Sequence, residues 1–223
     1  VTLKLKKGGL VVSCQARADN PLHGAYFMGA MAFAARDGGA CAIRANGVLD
    51  VRAVKAAGLP VIGIDKQFSD AVPVYITPTL AACDALAEAG ADIIGIDATP
   101  RPRRGDEPAR LIRHITETLG LEAFCDIATS DEGAAAADMG ATYVATTLSG
   151  YTDYSARNDD MPDYALIEAL VASIKTPVVA EGRFSTPERA RRALDCGAYA
   201  VVVGTAITNP REITRGFVRQ IEG

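Results

Sequence analysis

Seven polar side chains close short apolar runs in this sequence: Gln15, Arg44, Lys66, Asp97, Asp126, Thr147 and Glu181. Each alone reads equally well as a cap or an ion-pair partner. Their recurrence at corresponding places in successive runs points to a common site. Lys66 ends VIGIDK. A lysine held among apolar groups loses preference for its ammonium form, so its pKa falls from about 10.4 toward neutrality and it becomes a usable base. Glu181 ends VVAEGR. A carboxylate is uncommon in a buried strand without a partner or a task. The bland reading pairs it with Arg183 or Lys66; the chemical one sets it opposite Lys66 as the second group needed to move a proton. Side chains alternate along a strand, so Lys66 and Asp65 face opposite sides, and pattern alone leaves open which enters the site.

Eight short runs carry these residues: 9–15, 41–45, 60–66, 92–98, 122–127, 143–148, 176–183 and 200–205. Rich in Val and Ile and nearly continuous in apolar character, they predict strands covered on both faces. Amphipathic segments lie between them. Helices are expected over 80–89, 108–119 and 187–196, each followed by Gly, with Pro187 in a first turn after Ser185 and Thr186. The turns AGAD, MGAT and CGAY recur before strands. Unbroken βα units predict an α/β fold: a (β/α)8 TIM barrel forming a single domain over residues 1–223, with its site at the C-terminal strand ends.

Phosphate recognition is suggested by Gly182–Arg183 and Gly204–Thr205. Glycine lets backbone N–H groups approach an anion, and late barrel strands commonly hold phosphates. His114 falls on the 108–119 helix as a surface or helix-contact residue, while His23 follows the first strand and could reach the mouth.

The net charge of −4 excludes a basic nucleic-acid footprint, so an anionic substrate needs a local positive site. The five cysteines, Cys14, Cys41, Cys83, Cys125 and Cys196, have no metal-ligand spacing and suit a reducing cytoplasm better than a disulfide framework. The N-terminal VTLKLKKGGLVVSCQA has too short an apolar run to cross a membrane and reads as the first strand. No metal or membrane association is expected.

VSCQA at 12–16, PLH at 21–23, IRAN at 43–46, GIDK at 63–66, YITPT at 75–79, TTLSGYT at 146–152, AEGR at 180–183 and GAYAVVVGTAIT at 197–208 resemble the bacterial N-acetylmannosamine-6-phosphate 2-epimerase family, in order over nearly the whole chain. The resemblance implies interconversion of N-acetylmannosamine 6-phosphate and N-acetylglucosamine 6-phosphate in sialic acid breakdown. It implies proton transfer at C-2 of the open-chain sugar, with no cofactor. It assigns Lys66 as acid/base and Glu181 as its partner. Gln15, Arg44, Asp126 and Thr147 would contact the sugar, and Gly182, Arg183, Gly204 and Thr205 the phosphate. A homodimer is a further implication. The chain departs from the family pattern at Asn209, where Arg is common near the phosphate, and at Asp65, where an apolar residue is usual. Three other readings fit the same residues: a Schiff-base aldolase or lyase using Lys66, an epimerase of an unphosphorylated N-acetylhexosamine, and a non-catalytic phosphosugar-binding barrel.

Overall fold

The computed structural model describes residues 2–223. Eight parallel strands, β1 (Gly9–Cys14), β2 (Ala42–Asn46), β3 (Val61–Ile64), β4 (Ile93–Asp97), β5 (Glu122–Asp126), β6 (Tyr143–Ala145), β7 (Val178–Glu181) and β8 (Ala200–Val203), close a barrel in sequence order. Its seam joins β8 to β1, with Val11 opposite Val202. Helices α1 (Ala25–Asp37), α2 (Val48–Lys55), α3 (Leu80–Glu88), α4 (Pro108–Arg113), α5 (Ser130–Asp138), α6 (Tyr164–Ser173), α7 (Pro187–Asp195), α8 (Thr205–Thr208) and α9 (Pro210–Glu222) complete the chain. The expected eight runs and the barrel are all present.

Strand alternation decides what enters the barrel. Val11, Ala42, Ile62, Ile93, Phe124, Tyr143, Val179 and Ala200 pack together inside it, while Ile43, Val61, Ile94, Cys125 and Val144 face the helices. Two residues beyond Ala42, Phe124 and Val179, the same inward face presents Arg44, Asp126 and Glu181. Gly95 makes room for this layer: a Cβ there would meet Ile64 Cγ2 at 2.6 Å, with Arg44 Nη2 at 3.7 Å. The opposite end is plugged by the N-terminal segment. Leu5 is buried, its N–H donates to Tyr143 Oη, Tyr143 donates to Glu122, and Tyr199 Oη donates to the Leu5 carbonyl.

Three expected elements end early for identifiable reasons. The run 143–148 is strand only to Ala145, after which Thr146–Leu148 forms a 3₁₀ turn. Thr146 Oγ1 accepts from Glu181 N at 3.0 Å and donates to Glu181 O at 2.9 Å, replacing the backbone ladder with a side chain. β3 stops at Ile64 because Thr77, at φ 44°, folds back on it: Thr77 Oγ1 accepts from Asp65 N, Thr77 N donates to Asp65 O, and Lys66 pairs with Ile76 antiparallel. The helix expected over 108–119 changes to a π-helical turn at His114–Thr118. There the Thr116 hydroxyl donates to the Ile112 carbonyl, a contact that bends helices.

The C-terminal helix is unusual. None of the residues of α9 is buried, and Phe217 and Ile221 are 68% and 81% exposed. A separate cleft of about 250 Å³ lies between β1, α1 and α8, lined by Leu10, Met31, Ala35 and Ile207 among others.

Candidate active site

The inward layer at the C-terminal strand ends forms one hydrogen-bonded cluster. Arg44 from β2 reaches across the barrel to β5, donating from Nη1 to Asp126 Oδ1 at 3.1 Å and from Nη2 to Oδ2 at 2.6 Å. The same Nη1 donates to Glu181 Oε2 from β7 and lies 3.3 Å from Thr147 Oγ1. The Arg44 guanidinium also lies over the Phe124 ring, 5.0 Å from its centre. Thr147 Oγ1 is 2.6 Å from Asp126 Oδ1 and 3.1 Å from Glu181 Oε2. One hydroxyl has one proton, so it donates to one carboxylate at a time.

Exposure separates the roles these residues can take. Arg44 and Asp126 are 1% and 0% exposed, whereas the Glu181 side chain keeps 15%. The resemblance implies that Arg44 and Asp126 contact the sugar; in the structure Arg44 bonds both Asp126 and Glu181, and Arg44 and Asp126 are the more deeply buried. Glu181 is the carboxyl of the cluster open to the mouth. Its partner is Arg44, in place of the Arg183 or Lys66 that the bland reading offered.

Lys66 sits one residue past the Asp65 turn. Its N–H donates to Asn46 Oδ1 at 2.9 Å, which fixes the backbone at the mouth. Burial, helped by the Arg44 charge, pushes its ammonium down to about 8, with Glu181 and Asp126 pulling the other way. Burial likewise raises the Glu181 carboxyl above its usual range, against the pull of Arg44, and Asp126 raises it further. Asp126 is raised by burial too. Two carboxyls, one guanidinium and one weak ammonium thus meet in one place. With both carboxylates ionised and Lys66 charged, the four sum to zero; with Lys66 neutral, one carboxyl proton restores that balance. Burial thus shifts both groups toward their neutral forms, which draws a base, Lys66, and an acid, Glu181, closer together in proton affinity.

The remaining expected residues spread around the rim. Gln15 follows β1, donates from Nε2 to Ser13 Oγ at 2.8 Å, and leaves a buried Oε1 without a partner. Arg183, at φ 59° after Gly182 at φ 118°, turns back to donate to the carbonyls of Ser149 and Gly150 and stacks on Tyr151 at 4.4 Å. Gly204 and Thr205 open the short α8. Asp97 is not in the cluster: it accepts from Thr99 and from Arg101 Nη2 at 2.6 Å, bracing the 98–107 loop. His23 Nδ1 bonds the Ala16 carbonyl, and His114 bonds Asp84 between helices. Asp65 accepts from Gln67 on the loop.

Sequence reasoning missed Asn46, Thr77 and Thr146 as positioning residues. Asn46 had a signal, since it too is a polar residue ending an apolar strand. Thr77 and Thr146 act through backbone contacts that no pattern in side-chain type announces.

Residues 28–223 match the family model described as "Putative N-acetylmannosamine-6-phosphate epimerase". The chain belongs to this epimerase family. A solved structure of the N-acetylmannosamine-6-phosphate 2-epimerase from Clostridium perfringens is 45% identical, covers 97% of this chain and 94% of its own, and superposes with a TM-score of 0.93. The relative in Caldanaerobacter subterraneus subsp. tengcongensis carries the same 2-epimerase name and is 48% identical over 97% of this chain and 92% of its own length. A thiamine phosphate pyrophosphorylase from Pyrococcus furiosus shares the barrel at 17% identity and a TM-score of 0.64, a likeness of fold alone. Membership in an epimerase family makes this chain an isomerase. No helix among the described residues is long and apolar enough to cross a membrane.

Proposed function

We propose that this chain inverts C-2 of N-acetylmannosamine 6-phosphate to give N-acetylglucosamine 6-phosphate, in the breakdown of sialic acid and related amino sugars. What carries the reading is the placement of Lys66 after β3 and Glu181 at the end of β7, at the same end of the barrel, with burial pushing the Lys66 ammonium down to about 8 and the Glu181 carboxyl up. In the open-chain sugar, C-2 is acidified by the C-1 aldehyde. Neutral Lys66 takes the C-2 proton and becomes an ammonium as negative charge develops on the C-1 oxygen, which stabilises that charge where it forms. Glu181 is the partner that delivers or positions the returning proton. Arg44, Asp126 and Thr147 act through Glu181, fixing its carboxyl and holding its charge. The unpartnered Gln15 Oε1 suits an amide N–H or hydroxyl of the sugar. The chain's own residues supply every proton the reaction needs.

The test is a steady-state assay from either epimer, with phosphorylated and free sugars side by side. The reading expects both phosphosugars to approach the same equilibrium mixture. Activity confined to the free sugars would keep the chemistry and discard the phosphate.

Two further parts of the proposal concern context. Five free cysteines, three of them buried, suit a reducing cytoplasm. The bare apolar stripe of α9 and the open cleft near α1 suit a homodimer that buries both, because exposed apolar surface of this extent marks an association site. Sedimentation should give a dimer that Phe217→Glu with Ile221→Glu converts to monomer; a wild-type monomer at tens of micromolar (on the order of cellular enzyme levels) would remove the dimer from the proposal.

A further inference from the structure

A phosphosugar brings a dianion to a chain of net charge −4, so some local cation must receive it. On the segments that follow β7, β8 and β1 there are three candidates, one of them in the first turn of α9. Arg183 is committed to two carbonyls and the Tyr151 ring. Arg211 is paired with Asp19, donating from Nη2 to Oδ2 at 3.0 Å. Arg17 is exposed and, among the described residues, has no ion-pair or side-chain hydrogen-bond partner. Asn209 offers no charge, and its Oδ1 is taken up capping α9 at Glu212 N and accepting from Asn20.

The loop around Arg17 is held firmly on either side. His23 Nδ1 bonds the carbonyl of Ala16, Arg211 Nη1 donates to the carbonyl of Asp19, and Asn20 N donates back to Arg17 O at 2.9 Å. Asn20 itself is buried and reaches Asn209. The base of the loop abuts β8: a Cβ on Gly204 would stand 3.3 Å from Ser13 Cβ, and Thr208 donates to the Ser13 carbonyl. A held backbone therefore carries an exposed, unpaired guanidinium on the loop whose base, Ser13, packs against Gly204. The Arg17 charge is also felt at Lys66, where it disfavours the ammonium.

We infer that Arg17 is the guanidinium that binds the substrate's phosphate, in bidentate contact beside the Gly204–Thr205 amides. This rests on the phosphosugar reading above. A guanidinium fork matches two phosphate oxygens, and arrival of the dianion would offset part of the positive field at Lys66.

The experiment compares Arg17→Ala, Arg17→Lys and Arg104→Ala. Arg104 is an equally exposed, unpaired cation on the loop between β4 and α4, far around the barrel from β8. Arg17→Ala should raise KM for the phosphosugar about ten-fold or more, with kcat within about three-fold, the loss expected for one hydrogen-bonded charge pair. Arg17→Lys should recover part of it, and Arg104→Ala should leave KM unchanged. Calorimetric titration with inorganic phosphate should show the same order of affinities. Equal losses from Arg17→Ala and Arg104→Ala would reduce the effect to overall field and overturn the assignment. So would an unchanged KM, or a fall in kcat alone, which would place Arg17 on Lys66 rather than on phosphate. Failure of the wild type to turn over any phosphosugar would sink the functional reading instead, while the phosphate titration would still decide on Arg17.

Discussion

Lys66→Met is expected to abolish exchange of the C-2 proton and, in the same protein, to raise thermal stability. A general base contributes roughly 10²–10⁴-fold to a proton abstraction, and here it is also the cation formed next to the developing oxyanion. A loss of at least about 10³-fold in kcat is therefore expected. The gain in stability follows from the pKa. Burial lowers the Lys66 ammonium from 10.5 to about 8. The unfolded chain thus binds more protons than the folded one, so the folded state bears a cost that is full below about pH 8 and disappears as pH rises toward 10.5. At about 1.4 kcal/mol per pKa unit the ceiling is about 3 kcal/mol; solvent access at the mouth reduces it to about 1–2 kcal/mol, or roughly 2–8 °C in Tm for a chain of this size. Thermal unfolding of both proteins at pH 7 and pH 10 checks this. The variant should lead at pH 7 and lose that lead at pH 10. A variant less stable than wild type at pH 7 would mean that the ammonium is not strained.

Arg44→Met carries the opposite sign. It removes the one cation that bonds both buried carboxyls. Breaking a buried pair from one side costs about 3–5 kcal/mol, because charge is left without compensation. The cost should depend on pH. Both carboxyls are already raised by burial, and losing Arg44 raises them further. A carboxyl whose folded pKa lies above its unfolded value destabilises above that folded pKa, and the penalty fades as pH falls and the group protonates toward its unfolded value near 4. Urea denaturation should therefore show a larger difference from wild type at pH 7.5 than at pH 5. A difference that does not vary with pH would assign the loss to packing against Phe124 rather than to charge. Activity should fall as well, since Glu181 loses its anchor.

Much of this arrangement is legible in the sequence. The eight apolar runs mark the strands, and polar residues at their ends mark Arg44, Lys66, Asp126, Thr147 and Glu181. Those signals are local: hydrophobic period and an odd residue at a fixed place in it. What is not legible comes from contacts distant in sequence. Nothing in IRAN says that Arg44 crosses the barrel to bond β5 and β7 and is buried there with Asp126. Gly95, which leaves it room, reads as an ordinary strand glycine. Asp97 has the same local signature as Asp126 but turns to Arg101, because the RPRRGDE loop that follows it supplies cations four and six residues away. Strand ends read from the sequence run one to three residues long at β3, β6 and β7, where the threonine contacts of Thr77 and Thr146 take over from the ladder.

The central claim is proton transfer at C-2, and proton NMR in heavy water tests it most directly. N-acetylmannosamine 6-phosphate incubated with the enzyme should lose its C-2 proton signal while the gluco epimer appears carrying deuterium at C-2. Epimer formation with the original C-2 hydrogen fully retained, or no epimer at all from the phosphosugar, would contradict the account.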